Sequence, residues 1–263
     1  MALVGRVLGA MGSRVLTLVE EVGHMGVLAN RTILAVPHMR AEPVAIQMIR
    51  FGIRAIPIVA LVNLFVGMIV AVSMSEMLQK LGVITWTAKV VAVSVTRELA
   101  PLMTAIVMSG FAGAAIAAEI ATMTVNEEIL ALECGALSPI RFLVLPRMLG
   151  VCVMMMCLTL VADVLGMFGG YLVGTLMLDI GSPTYVDINN NAVEWADIPK
   201  GLVKAFAFGM IVTLVACRQG LKAYGGALGV GRATTSAVVL GIVLIIAANL
   251  CFTILFHWTL AAV

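Results

Sequence analysis

The sequence predicts an all-α integral membrane protein: an N-terminal interfacial amphipathic helix, five transmembrane helices and a short acidic helix on the cytoplasmic side. Three observations carry that prediction. Of 263 residues, 62% are hydrophobic and 11% charged, with a mean hydropathy of +1.13, whereas a soluble domain carries about 25% charged residues. Apolar stretches long enough to cross about 30 Å of hydrocarbon recur along the chain. Basic residues gather on one side of those stretches.

Residues 3–28 are amphipathic. Val4, Val7, Leu8, Met11, Val15, Leu18, Val22 and Met25 recur at helical spacing, with Arg6, Glu20, Glu21 and His24 on the opposite face. Too many charges interrupt this segment for it to span, so it predicts a helix in the membrane interface, with the link to residue 40 behind it. Arg14 interrupts any signal-peptide core.

The first span is read at 53–75, because no charge occurs between Arg54 and Glu76. The second is read at 86–122. A straight helix of that length exceeds the bilayer, and Pro101 predicts a break because it offers no N–H to the carbonyl of Arg97. A third span covers 144–178 and is interrupted in its apolar part only by Asp163. An outer loop, 179–200, holds Asp179, Asp187, Glu194 and Asp197. The fourth and fifth spans are read at 201–217 and 235–257. Five spans place the termini on opposite sides. The excess of arginine around residues 6–54, 141–147 and 218–232 then puts the N-terminus in the cytoplasm and the C-terminus outside.

Between the second and third spans lies TVNEEILALECGALSP, read as a helix over 124–138. Thr124 and Glu127 have capping-box spacing, Glu128 suits the helix N-terminus, and Gly135 with Pro139 supplies a stop. A short helix with an acidic face and apolar knobs is suited to a groove on another protein; a solvated connector is the plainer reading.

Two further patterns stand out. Arg97-Glu98-Leu99-Ala100-Pro101 places charges within a membrane helix. Such groups face a cavity or one another: they line a polar spot in a transport path, or they pair with another helix through Lys204. Gly110, Ala114 and Ala118 recur every four residues, as do Gly113, Ala117 and Ala121, forming small-residue ridges for close helix packing.

Enzyme chemistry finds no support. Phosphate-loop, HExxH and GxSxG motifs are missing, and His24, His38 and His257 are dispersed. The five cysteines show no CxxC pairing, so neither a disulfide nor a metal site is expected. A net charge of +2 gives no footprint for nucleic acid. Without an internal repeat, five spans argue against an inverted-repeat secondary transporter and suggest symmetry from a second copy.

TRELAPLMTAIVMSGFAGAAIAAEIATMTVNEEILALECGALSPIRFLVLPRML and the later GVGRATTSAVV, residues 229–239, resemble the MlaE/YrbE permease family. The resemblance covers nearly the whole chain and implies a single permease domain over 1–263. Members of that family are membrane subunits of ABC transporters that move phospholipid or other hydrophobic molecules. The resemblance implies a bacterial inner-membrane homodimer with an ABC ATPase on each coupling helix, a periplasmic MCE-domain protein, and a small STAS-domain protein on the ATPase. It implies no cofactor in this chain, ATP and Mg being held by the ATPase, and a role in outer-membrane lipid asymmetry. The coupling residues it suggests are Val125, Glu127, Glu128, Ala131, Leu132, Glu133 and Leu137. The lipid site it suggests is Val70, Met77, Leu78, Leu81, Arg97, Glu98, Leu99 and Lys204. Two positions depart from the family pattern: Phe111 stands where arginine is frequent, and Asn249 where an acid is frequent, which leaves the partner of Lys204 open. A membrane scaffold for an MCE protein, a permease for sterol and a proton-coupled transporter are the rival readings.

Overall fold

The structure, a computed structural model, describes residues 23–32, 34 and 41–261. The expected interfacial helix over 3–28 lies largely outside the described residues; 23–32 are helical. There follow α1 (Ala41–Lys80), α2 (Trp86–Val125), α3 (Glu128–Cys134), α4 (Ile140–Leu176), α5 (Ser182–Ala192), α6 (Asp197–Leu221) and α7 (Gly226–Trp258). Five of them (α1, α2, α4, α6 and α7) are long and apolar enough to cross a membrane. The described residues contain no strand. The expected all-α architecture with five spans is the observed one.

Several helices outrun the expected spans. α1 begins at Ala41, α6 at Asp197 and α7 at Gly226, because charged residues at their ends continue the helix rather than stopping it. The expected outer loop contains α5 and the first turn of α6.

Pro101 produces no break. α2 is continuous, and the disturbance appears as a π-helical turn at Val95–Leu99, immediately before the proline. The same relation recurs twice. Non-α turns at Met48–Gly52 and Ile53–Ala55 precede Pro57, and a π turn at Ile140–Val144 precedes Pro146. A proline ring crowds the preceding turn and removes one N–H, and a locally widened helix absorbs both effects.

α4 is deeply packed in the bundle, and glycine sets how close its neighbours come. A Cβ on Gly67 of α1 would stand 1.9 Å from the Gly166 carbonyl oxygen of α4, and one on Gly169 would stand 2.2 Å from the Leu64 oxygen. The two backbones therefore touch, as small residues permit in lipid. Farther along α4, Tyr185 of α5 is buried against Gly170 and Gly174, where added Cβ atoms would meet its ring and hydroxyl. Burial pushes the Tyr185 hydroxyl up to about 12, so it stays protonated at neutral pH.

Of the two small-residue ridges on α2, only one is closed. Gly113, Ala117 and Ala121 are buried, and a Cβ on Gly220 of α6 would press on Ile120 and the Ala117 oxygen. Gly110 is exposed, with no neighbouring atom within 4 Å of a built Cβ. All three tryptophans, Trp86, Trp195 and Trp258, are exposed at one end of the bundle. That is the placement of an interfacial aromatic belt.

The glycine seam makes a direct prediction. Gly67→Leu overpacks a backbone contact and should lower the melting temperature in detergent by about 5–10 °C or abolish folding. Gly110→Ala should change it little. Thermal unfolding of the two purified variants checks both.

Candidate functional site

The functional candidates fall into a coupling segment and two charged nodes, one near each end of α2. The segment expected to couple follows the end of α2 at Val125, forms α3 and leads into α4 at Ile140. None of the residues of α3 is buried. Val125 and Leu132 are half-buried, whereas Glu127, Glu128, Ala131, Glu133 and Leu137 are exposed. Leu132, Ala131, Glu128 and Leu137 line a cavity of about 320 Å³ with Met123 and Phe142, so an apolar notch lies beside the acidic face.

The expected capping box is not formed. Thr124 donates its hydroxyl to the Ile120 oxygen at 2.7 Å and lies 3.1 Å from the Gly220 oxygen of α6, so it serves the end of α2. Glu127 occupies the N-cap in a left-handed conformation, φ 60°, without a side-chain cap. Nor does Gly135 supply the left-handed stop; Ala136 does, at φ 57°. Leu137 N–H donates to the Leu132 oxygen and Ala136 N–H to the Glu133 oxygen, both at 3.0 Å, closing the helix as a Schellman-type motif.

The outer node gathers α2, α6 and α7. Lys204 is 1% exposed, and its Nζ lies 2.7 Å from Glu98 Oε1. It also donates to Thr253 Oγ1 at 3.1 Å and to the Arg97 carbonyl at 3.3 Å. That carbonyl is the one deprived of a helical partner by Pro101, so the same proline that disturbs α2 opens an acceptor for the buried ammonium. Asn249 Nδ2 donates to Glu98 Oε2 at 3.2 Å, and the Thr253 hydroxyl is 3.1 Å from both carboxylate oxygens. The partner of Lys204 is therefore Glu98, with Asn249 holding the second oxygen. Arg97 turns aside, and its Nε lies 2.8 Å from Oδ1 of the buried Asp197 at the start of α6. Arg97 and Glu98 both reach α6, two turns apart.

The remaining expected lipid-site residues spread along this end of the bundle. Val70 and Leu99 pack half-buried against the core, Leu78 is half-buried, and Met77 and Leu81 are exposed. Phe111 is partly exposed on the open side of α2.

The inner node went unseen in the sequence. Glu119, near the end of α2, pairs with Arg50 of α1 and, at 3.1 Å, with Arg147 of α4. Its residues lie far apart in sequence and follow no motif. The one available signal was an acid at a span end with arginines at the ends of two other spans. Among the described residues no cluster of His, Cys, Asp and Glu is placed to hold a metal ion.

Comparison with known proteins agrees with this architecture. Residues 44–255 match the family described as Permease MlaE. A "Probable ABC transporter permease protein" of Rickettsia felis is 36% identical over 249 residues, covering 94% of this chain and 96% of that protein. The "Intermembrane phospholipid transport system permease protein MlaE" of Haemophilus influenzae is 31% identical, over 88% of this chain and 90% of that protein. The chloroplastic protein TRIGALACTOSYLDIACYLGLYCEROL 1 of Arabidopsis thaliana is 34% identical, over 77% of this chain and 58% of that protein. This multi-pass membrane protein belongs to the MlaE permease family of ABC transporter subunits.

Proposed function

We propose that this chain is the membrane subunit of an ABC transporter that moves phospholipid between a bacterial inner membrane and a periplasmic MCE-domain carrier, supporting outer-membrane lipid asymmetry. The observation that carries the reading is the coupling segment: a short acidic helix with no buried residue, framed by two long spans and presented away from the bundle. An ATPase bound there supplies ATP and Mg from its own site, with a STAS-domain protein on the ATPase. The name of the Haemophilus relative, an intermembrane phospholipid transport system permease, supports phospholipid as the cargo.

Homodimerisation is part of the reading. α7 is the least buried of the five spans, and its exposed Val239, Val243, Ile246, Leu250 and Ile254 offer a long apolar face to a second copy. The orientation follows from charge. Arg50, Arg141, Arg147, Arg218 and Arg232 lie at the end that carries α3, so that end faces the cytoplasm. The N-terminus is then cytoplasmic and the C-terminus periplasmic.

ATP turnover moves cargo only if the ATPase dimer prefers one permease conformation over another. α2 runs from the coupling segment to the outer node, so a tilt of α3 reaches Arg97 and Glu98 along a single helix. There Val70, Met77, Leu78, Leu81 and Leu99 offer apolar wall for acyl chains. Arg97 and Glu98 offer charge beside it for a headgroup; Lys204, expected at the same site, is buried behind Glu98 and holds it in place instead.

Native mass spectrometry of the complex purified from its own membranes tests the assembly. Two copies with two ATPases, an MCE oligomer and bound phospholipid are expected; the chain alone and without lipid would favour the scaffold reading. Reversing charge at Glu127 and Glu128 to lysine should reduce ATPase co-purification at least severalfold while the thermal unfolding of the permease is unchanged. Leu78→Asp should empty the outer site, and a normal lipid complement would refute that assignment. Glu98→Ala strands a buried ammonium and should cost about 3–5 kcal/mol. Adding Lys204→Leu should recover much of that loss in detergent unfolding.

A further inference from the structure

We propose that the recess at the inner node binds a phosphate-bearing anion, the headgroup phosphate of a lipid in the leaflet nearest the coupling segment. Charge is the first observation. Two guanidiniums share one carboxylate, leaving an excess of one positive charge. Arg147 is buried; its Nη1 donates to the Leu143 oxygen at 2.9 Å, Nη2 meets Glu119, and Nε has no hydrogen-bond partner. The Arg50 side chain is 48% exposed.

Space is the second observation. A shallow, open recess of about 460 Å³ lies here, lined by Arg50, Ala118, Glu119, Thr122, Met123 and Arg147, with Glu119 its one acid. An anion entering it meets guanidinium forks, whose planar donors match phosphate oxygens.

Depth is the third. Arg50 lies just before the apolar run that opens at Ile56, and Glu119 and Thr122 lie in the last turns of α2. The recess therefore sits where the helices leave hydrocarbon. Exposed Ile49 and Ile53, four residues apart on α1, give acyl chains a surface beside Arg50. Basic pockets between membrane helices on the cytoplasmic side are suited to anionic headgroups.

A bound phosphate competes with Glu119 for Arg50. Occupancy therefore loosens the tie between α1 and the stretch of α2 that leads to the coupling segment. This site is separate from the outer lipid site and does not depend on transport.

Native mass spectrometry of the purified chain with defined phosphatidylglycerol tests it. Arg50→Gln should lower the retained lipid about tenfold, the worth of one charge-assisted contact. Arg50→Lys, which keeps the charge but not the fork, should fall between. Glu119→Gln removes the competing carboxylate and should raise retention severalfold, whereas a merely structural node predicts a fall. Leu78→Asp acts on the outer site and should leave the Arg50-dependent fraction unchanged. Displacement by millimolar inorganic phosphate would identify free phosphate as the source, and retention against it the lipid. Equal retention by the native chain and Arg50→Gln, a loss in Glu119→Gln, or disappearance of the same fraction in Leu78→Asp would overturn the proposal.

Discussion

A charge placed among membrane helices must find a partner, and α2 is organised by that requirement. It carries one acid toward each end. Glu98 meets Lys204, which no solvent reaches, and Glu119 meets Arg50 and Arg147. Isolated in hydrocarbon, each of these groups would be strongly unfavourable; paired, they fix which helices lie against α2 and at what height. α1 and α4 are held at its inner end, α6 and α7 at its outer end. The remaining apolar contacts fill a frame that these pairs define.

The outer node also shows how a single residue serves two ends. Pro101 widens the helix before it and leaves the Arg97 carbonyl without its helical donor. Lys204 takes that carbonyl together with Glu98. Arg97 itself leaves the node for the buried Asp197. Two neighbouring side chains thereby bind α6 at two heights, which resists both sliding and rotation of α6 along α2. Gly201, whose added Cβ would stand 3.1 Å from the Thr96 oxygen, lets the two backbones come that close.

Much of this was legible in sequence, and the reasons for the remainder are physical. Hydropathy located the five spans because every residue that faces lipid must be apolar. Helix ends were harder, since paired charges such as Arg97 with Asp197 extend helices past the apolar run. Pro101 pointed to the right carbonyl but to the wrong outcome, because a π turn and a lysine from another helix repair what a lone helix could not. Thr124 and Glu127 carried a capping pattern that tertiary contact with Gly220 overrode. The Glu98–Lys204 pair was one of two readings left open at Arg97-Glu98. Glu119 with Arg50 and Arg147 was invisible, because pairing across 69 and 28 residues leaves no local period. The seam of Gly67 with Gly166 and Gly169 was missed for the same reason, while the more regular ridge is open at Gly110 and half-buried at Ala114 and Ala118.

Coupling at a distance requires a rigid body between the site where energy enters and the site where cargo sits. In the proposed function α2 is that body: one end continues into the exposed segment that carries α3, and the other holds the only ammonium group buried among the described residues. The measurement that bears most directly on this account is transfer of labelled phospholipid from vesicles containing the reconstituted permease with its ATPase and carrier. Transfer that requires ATP and ceases when the ATPase is omitted is the result the account predicts. Transfer at an undiminished rate without ATPase or ATP would contradict it.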